Sequence, residues 1–513
     1  MLGPTLAPPA PQPRPTRAPP VPHPRPNQRL PVPQDSEPSP AETPQPSLFA
    51  RWRDRDHTRG SLFVSLIVLA LPLVATSLFG GVLFQLVDLK LISGLGDQAV
   101  TAVVVTNQSL RQFFFMLVMG ASFGTQGLIA RSIGEGRSDR ADHVAGQTVV
   151  MGLMLSSVLA VVGLAFPGEL LGMMNVSPEV LAVGIPYVRL VLLLNFGFVF
   201  VNIFNAILNG AGDTATPFLI AVVQTLLALF GEWCLIYGNF GMPALGISGV
   251  ALGIGVGQVG SILLISRVLF GGSSRVHVRR RHLRPDPEVM KQVLALAWPP
   301  ALQMLGTFLV TVFFIRTMGN FGDTAQTAYS IGLRLGMLAP MICFPLAGAV
   351  STLVGQALGS GNIPRAWRSI QVGLGVHIAL MWSLGGALYL FREPLLLIFT
   401  DDPEVISIGG RMLAWQAASF IPLAFSFVFF RALQGAGDVL VPMVITVLNA
   451  LLLTLPLGLY LAENRGMGPD GLFIAQFVST TIGTLLTGAW LMTGRWTRAA
   501  STRLGNAPHT EAP

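Results

Sequence analysis

The chain of 513 residues is short of charge. Asp, Glu, Lys and Arg make up only 11% of it, against roughly 25% in soluble globular domains. A water-facing surface needs more than that, so a soluble enzyme or soluble binding module is excluded. Cysteine is nearly absent. Cys234 and Cys343 both lie inside apolar runs, which excludes a disulfide framework and a thiolate metal cluster. Lysine is reduced to Lys90 and Lys291. The formal charge of +7 comes from arginines, most of them in short loops where they set membrane topology, so no nucleic-acid partner is expected. No nucleophile–base pair, phosphate loop or metal-ligand cluster is apparent, so the reading expects no enzyme, no metal and no cofactor. The stretch Gly255-Val256-Gly257-Gln258-Val259-Gly260 spells a dinucleotide fingerprint, but it sits in an apolar run with no strand before it, and close helix packing accounts for it better.

Apolar sequence is what the chain has in excess: 51% of it is hydrophobic. Runs of about 20 residues or more are long enough to cross a bilayer as helices. Twelve such spans are read at 61–92, 98–130, 141–166, 178–209, 215–238, 245–270, 291–318, 324–358, 365–392, 403–434, 440–462 and 470–494. Arginines cluster before the first span, between the second and third, between the sixth and seventh, after the eighth and after the twelfth. The intervening loops carry acids such as Glu169, Asp401 and Asp470. That alternation predicts a multi-pass inner-membrane protein with both termini in the cytoplasm.

The chain is also written twice. Asn209-Gly210-Ala211-Gly212-Asp213 with Pro217 returns, 225 residues later, as Gln434-Gly435-Ala436-Gly437-Asp438 with Pro442. Gly134-Glu135-Gly136 returns as Gly359-Ser360-Gly361, and Pro178-Glu179-Val180 as Pro403-Glu404-Val405. Each copy holds six spans, an even number, so both copies share one orientation. The expected fold is all-α: two six-helix bundles related by a pseudo-two-fold along the membrane normal, as in secondary transporters. The organisation read is a Pro-rich disordered tail at 1–58, an N-terminal lobe at 59–270, a cytoplasmic linker at 271–290, a C-terminal lobe at 291–495 and a tail at 496–513. Residues 1–50 hold 17 of the 38 prolines.

Two acids stand well inside spans, Asp88 in the first and Glu232 in the fifth. A charge at the bilayer centre costs at least about 2.5–3.5 kcal/mol, so such residues face cavities and serve ion or proton movement. Both are in the first repeat only, which places the expected coupling-ion site there. Lys90 lies two positions from Asp88, about 200° around the helix. Its repeat mate is Arg316, and the two read as snorkelling anchors rather than counter-ions. Gln85, Gln224, Asn202 and Asn205 are candidate polar groups of the cavity; interhelical hydrogen bonding is the other reading for such residues.

Taken together these residues resemble the multidrug and toxic compound extrusion (MATE) family over roughly 61–495. The resemblance rests on Leu69-Ala70-Leu71-Pro72, Leu86-Val87-Asp88, Gly94-Leu95-Gly96-Asp97-Gln98-Ala99, the paired Gly-Ala-Gly-Asp loops and Leu235-Ile236-Tyr237-Gly238. It implies a V-shaped pair of six-helix bundles that exports organic, mostly cationic compounds against inward H⁺ or Na⁺. Asp88 matches the family's first-helix aspartate. Glu232 stands where the DinF-like branch usually has an aspartate, and Ala228 where that branch often has an asparagine. The NorM-like branch uses acids in the seventh and tenth helices, which are lacking here, so the DinF-like branch is favoured. The expected partners are a small organic substrate and the lipid bilayer, with the protein a monomer. The mid-span charges read as mostly acidic, which argues for cationic cargo. The rival reading is a flippase for a lipid-linked precursor of the same superfamily, which would carry a strongly cationic cavity.

Overall fold

In hydrocarbon every backbone N–H and C=O must be paired within its own segment, so apolar runs of this length fold as helices. The computed structural model describes residues 57–95, 103, 106, 111–173, 178–271 and 274–497. The Pro-rich tail, most of 96–110 and the residues after 497 lie outside these. Among the described residues twelve helices are long and apolar enough to cross a membrane. They are α1 Leu62–Ser93, α2 Gln112–Gly134, α3 Ser138–Ala165, α4 Pro178–Ala211, α5 Ala215–Tyr237, α6 Ile247–Phe270, α7 Pro287–Gly319, α8 Asp323–Gly359, α9 Ile363–Leu390, α10 Pro403–Gly435, α11 Leu440–Asn464 and α12 Pro469–Met492. The expected spans agree with these to within about four residues wherever they can be compared.

The helix ends carry their own signals. Asp286, Asn362 and Asp402 cap α7, α9 and α10 by accepting backbone N–H groups. Gly212 and Gly437, at φ +89° and +79°, close the tight turns after α4 and α10, in a region that costs glycine little. Asp213 and Asp438 then donate their N–H to Leu208 and Leu433, each at 2.9 Å. These pairs are 225 residues apart, so the duplication holds in three dimensions.

The two repeats meet about an axis. Gly134 lies against the Gln356 carbonyl, and its mate Gly359 against that of Arg131. Gly210 lies against Gln126, and Gly435 against Ser351, the mate of Gln126. Ala130 and Gly355 are mates of each other and touch, as residues beside a two-fold axis do. The chain is therefore two six-helix units related by a pseudo-two-fold. Among the described residues, the side-chain hydrogen bonds between repeats lie in the half that carries Arg131, Arg137, Arg140 and Arg365, called here the basic end. Gln126 donates to Thr352 at 3.0 Å, Thr352 to the Asn209 carbonyl at 3.0 Å, and Gln356 to that of Gly210 at 3.3 Å.

The first helix of each repeat changes partners half-way. At the basic end, Leu66, Leu69 and Ala70 of α1 pack with Leu346, Ile370, Val428 and Trp496 of the second repeat. Beyond a π-helical break at Leu78–Leu83, Ile92 packs with Tyr187, Ile236 and Val250 of its own repeat. In α7, Val293 and Leu296 join the core of the first repeat, while Val310, Phe314 and Met318, past Pro299 and Pro300, join that of the second. Trp496, expected in the C-terminal tail, is fully buried against Trp367.

Candidate coupling site in the first repeat

Asp88 and Glu232 are brought together. Asp88 stands on α1 past the π-helical break, and Glu232 on α5. Their carboxyl groups lie within hydrogen-bonding reach of each other. Glu232 is 0% exposed. Neither of its oxygens, nor Asp88 Oδ1, has a hydrogen-bond donor in the structure. Ionised carboxylates only accept, so neither acid can satisfy the other while both are charged.

The placement of Glu232 follows from the helix behind it. On α6, Gly249, Gly253 and Gly257 recur every four residues and lie on the backbone of α5, the small-residue packing of membrane helices. A Cβ on Gly253 would stand 2.6 Å from Glu232 Cγ, so only glycine lets the acid sit flat against α6. Gly257 abuts Ala228 and Gln224 in the same way, which bears out packing as the role of the fingerprint-like stretch.

The structure adds a cation that sequence reasoning missed. Arg111, immediately before α2, is within electrostatic reach of both Asp88 and Glu232. Its guanidinium lies 5.7 Å from the Phe198 ring centroid. It also lines a cavity of about 20 Å³ with Asn195, Phe198 and Gln258, space for about one water molecule. Asn195 and Gln258 are each 5% exposed, and Asn195 Nδ2 finds no acceptor. The signal is present in the sequence, because an arginine beside an apolar run is as costly to bury as an acid. Lys90 is exposed and does not pair with Asp88, in keeping with an anchoring role.

The other expected cavity residues are dispersed. Gln85 is exposed one turn before Asp88. Gln224 lies eight residues from Glu232, about 12 Å along α5, and accepts from Ser261 at 3.1 Å. Asn202 donates to the Phe198 carbonyl of its own helix at 2.8 Å, and Asn205 Oδ1 is buried without a partner. Neither asparagine is placed beside the acid pair.

The expectation that in-span charge is mostly acidic is corrected. Arg334 stands on α8, where Gln326, Thr327, Ser330, Ile331 and Arg334 form one helical face along a cavity of about 370 Å³. The opposite face, Ala325, Ala328, Tyr329, Gly332 and Leu335, is buried. A stripe of this polarity suits a water-filled cavity and not lipid. Arg431 on α10 is 5% exposed, 4.2 Å from the Phe123 ring centroid of α2 and 5.2 Å from that of Phe344 of α8.

The family profile described as MatE matches residues 72–234 and again 299–460, once in each repeat. The chain belongs to the MatE family. As a MatE protein it is a multi-pass membrane transporter and not an enzyme. It is 25% identical over 435 residues to the "Probable multidrug resistance protein NorM" of Thermotoga maritima, covering 85% of this chain and 93% of that one. It is 26% identical over 440 residues to the "Probable multidrug resistance protein YoeA" of Bacillus subtilis, covering 84% and 93%. With a multidrug resistance protein, MdtK, of Pectobacterium atrosepticum, identity is 27% over 373 residues, covering 70% and 80%. These relatives support a general efflux role. Among solved structures, a MATE protein in the bent conformation matches with a TM-score of 0.79 at 21% identity, covering 87% of this chain and 98% of that one. A MOP superfamily transporter from Pyrococcus furiosus, reported with "reverse polarity of binding pocket", matches with a TM-score of 0.80 at 21% identity, covering 87% and 98%. They share the MatE fold.

Proposed function

We propose that this MatE protein is a secondary antiporter that exports organic, cationic compounds by alternating access in exchange for protons, with Asp88 and Glu232 as the coupling site. The observation that carries the reading is the buried contact between these two carboxyls inside a membrane-spanning bundle. The basic end faces the cytoplasm by the positive-inside rule. On this reading the conformation is outward-facing, supported by the contacts between repeats at that end and by the cavity beside α8 in the opposite half. Protons entering from outside neutralise the pair, which removes the cost of closing dry helices around a charge. Repacking of α1 about Leu78–Leu83 then alters how its basic-end half docks on the second repeat. Release of the proton to the cytoplasm restores negative charge and readies the first bundle for a cation. The DinF-like branch fits this reading through the two acids.

The test is efflux of ethidium, an organic cation, from reconstituted vesicles under separately imposed pH and sodium gradients. Asp88→Asn and Glu232→Gln are each expected to abolish pH-driven efflux at unchanged expression. Full pH-driven efflux by either variant refutes the coupling role. The rival, a flippase for an anionic lipid-linked precursor, draws on Arg334 at the water-lined face. Flippase activity predicts lipid counterflow without ethidium export.

A further inference from the structure

We propose that Arg365 and Gln147 are positioning residues for transport: each grips the strap of chain before the first helix of the opposite repeat, so that α1 and α7 bend at their breaks and do not slip as whole helices. This rests on the antiport reading of Asp88 and Glu232 and deepens it. The straps, 57–61 before α1 and 282–286 before α7, are repeat mates at the offset of 225: His57 with His282, Arg59 with Arg284, Ser61 with Asp286. Both histidines are buried, at 1% and 5% exposed. On α9, Arg365 Nη2 donates to the carbonyls of His57 and Arg59 at 2.7 and 3.0 Å, and Nη1 to that of Gly60 at 3.1 Å. On α3, Gln147 Nε2 donates to the carbonyls of His282 and Arg284 at 2.8 and 2.7 Å, and Oε1 accepts from the Asp286 N–H at 2.8 Å. The equivalent carbonyls of the two straps are thus held by the third helix of the other repeat. The gripping side chains are not mates: Arg365 corresponds to Arg140, and Gln147 to Val372. Arg140 lies 3.7 Å from Glu135; the second repeat has Ser360 in that acid's place, and Arg365 turns to the strap.

The half-helices that follow the straps are docked on the same two helices. Leu66 and Leu69 of α1 share a core with Ala366 and Ile370 of α9. Val293 and Leu296 of α7 share one with Ala141 and Ala145 of α3, the mates of that alanine and isoleucine. Each strap therefore forms one body with the opposite repeat, while Ile92 of α1 and Phe314 of α7 pack in their own. The His57 ring also lies against the turn after α4, where a Cβ on Gly212 would stand 3.0 Å from its Cδ2. When the repeats part, the ring leaves that turn while the grip on α9 holds. The bend then falls at Leu78–Leu83 in α1 and at Pro299 and Pro300 in α7, where a proline removes a helical hydrogen bond. Without the grip, α1 is free to slide. Titration of Asp88 then moves the helix without parting the repeats, and protons cross without cargo.

The experiment records ethidium export and proton movement together in vesicles holding the full chain under a pH gradient, and takes their ratio. A merely structural defect lowers both and leaves the ratio alone. Arg365→Met removes every donor of the grip, while the Arg365 N–H stays capped by Asn362 at 3.0 Å, so the start of α9 is kept. Its ratio of ethidium to protons is expected to fall by roughly tenfold, the scale of one lost charge-assisted hydrogen bond, with the ethidium concentration for half-maximal export unchanged. Arg365→Lys keeps the charge but has one nitrogen for three carbonyls, and its ratio should fall as well. Gln147→Met, which releases the strap of α7, should do the same; where one of these variants does not fold, the other two carry the test. A parental ratio in the folded variants overturns the proposal. So does a fall in Arg365→Met that Arg365→Lys fully restores, since the effect would then belong to charge and not to the grip. The antiport reading fails separately, through Asp88→Asn or Glu232→Gln retaining pH-driven efflux.

Discussion

Arg431 shows how a charge is kept in a dry seam without a carboxylate. Its Nη1 donates to Gln434 at 2.9 Å and its Nη2 to Gln126 at 3.4 Å, while Nε has no partner. Two phenyl faces supply the rest of its stabilisation, about 1–2 kcal/mol for each desolvated cation–π contact. Taking a guanidinium out of water costs several kcal/mol, so the charge is close to neutral for stability while its bulk is not. Arg431→Met, which keeps the volume, should leave thermal stability within about 1 kcal/mol of the parent. Arg431→Ala, which opens a cavity between α2, α8 and α10, should lose about 2–4 kcal/mol. Thermal unfolding in detergent checks both, and equal losses would refute this division. His282, in the linker, behaves differently. Burial holds it below the usual histidine range of 6.5, with Asp142 acting against that. The folded state therefore binds its proton less readily than the unfolded chain. The sign follows: its contribution is complete above pH 6.5 and is lost as pH falls through and below that value. The unfolding midpoint should drop more between about pH 7.5 and 5.5 in the parent than in His282→Asn. Equal drops would show that another group sets the dependence.

Secondary structure was legible because each helix must satisfy its own backbone in lipid, so length and apolarity alone mark it. What could not be read was which bundle each half of a helix joins. Leu66 and Ile92 belong to one continuous apolar run, yet they pack in the cores of opposite repeats. Nothing in hydropathy distinguishes them, because the exchange depends on where the π-helical break at Leu78–Leu83 redirects the helix. The site was half legible for a related reason. Asp88 and Glu232 stand out as acids in oil, and the alignment of repeats placed both in one bundle. Arg111 escaped because its relation to them is tertiary: it enters from α2, outside the sequence neighbourhood of either acid. Asn202 and Asn205 were expected in the cavity, but it is Asn195, about two to three turns earlier on α4, that lines the cavity with Arg111. The break in α1 matters for coupling, since the acid lies beyond it and the docking residues lie before it. In the proposed mechanism a change at the carboxyl reaches the seam through α1.

At the scale of the molecule, alternating access requires the basic-end seam to part. Its centre is fixed by the axis, where Ala130 of α2 meets its mate Gly355 of α8. A Cβ on Gly355 would stand 2.9 Å from the Ala130 Cβ. Disulfide-bonded cysteines have Cβ atoms roughly 3.5–4.5 Å apart, so a relaxation of about half an ångström admits a bridge. Because Ala130 and Gly355 are buried like the chain's own Cys234 and Cys343, the test uses a membrane-permeant oxidant in a background with Cys234 and Cys343 replaced by Ala. Ala130→Cys/Gly355→Cys should therefore crosslink in the outward-open state, tying the two repeats where they must separate. Oxidation is expected to stop efflux almost completely while leaving cargo access from the outer side intact, and a reductant should restore it. Each single variant should transport under both conditions, which separates the effect of the bridge from that of the added side chains. Efflux that continues at the parent's rate with the bridge formed would mean that the seam stays closed throughout the cycle. The lobes would then not exchange access by parting here, and the route from Asp88 through α1 to the second repeat would have no gate to work on.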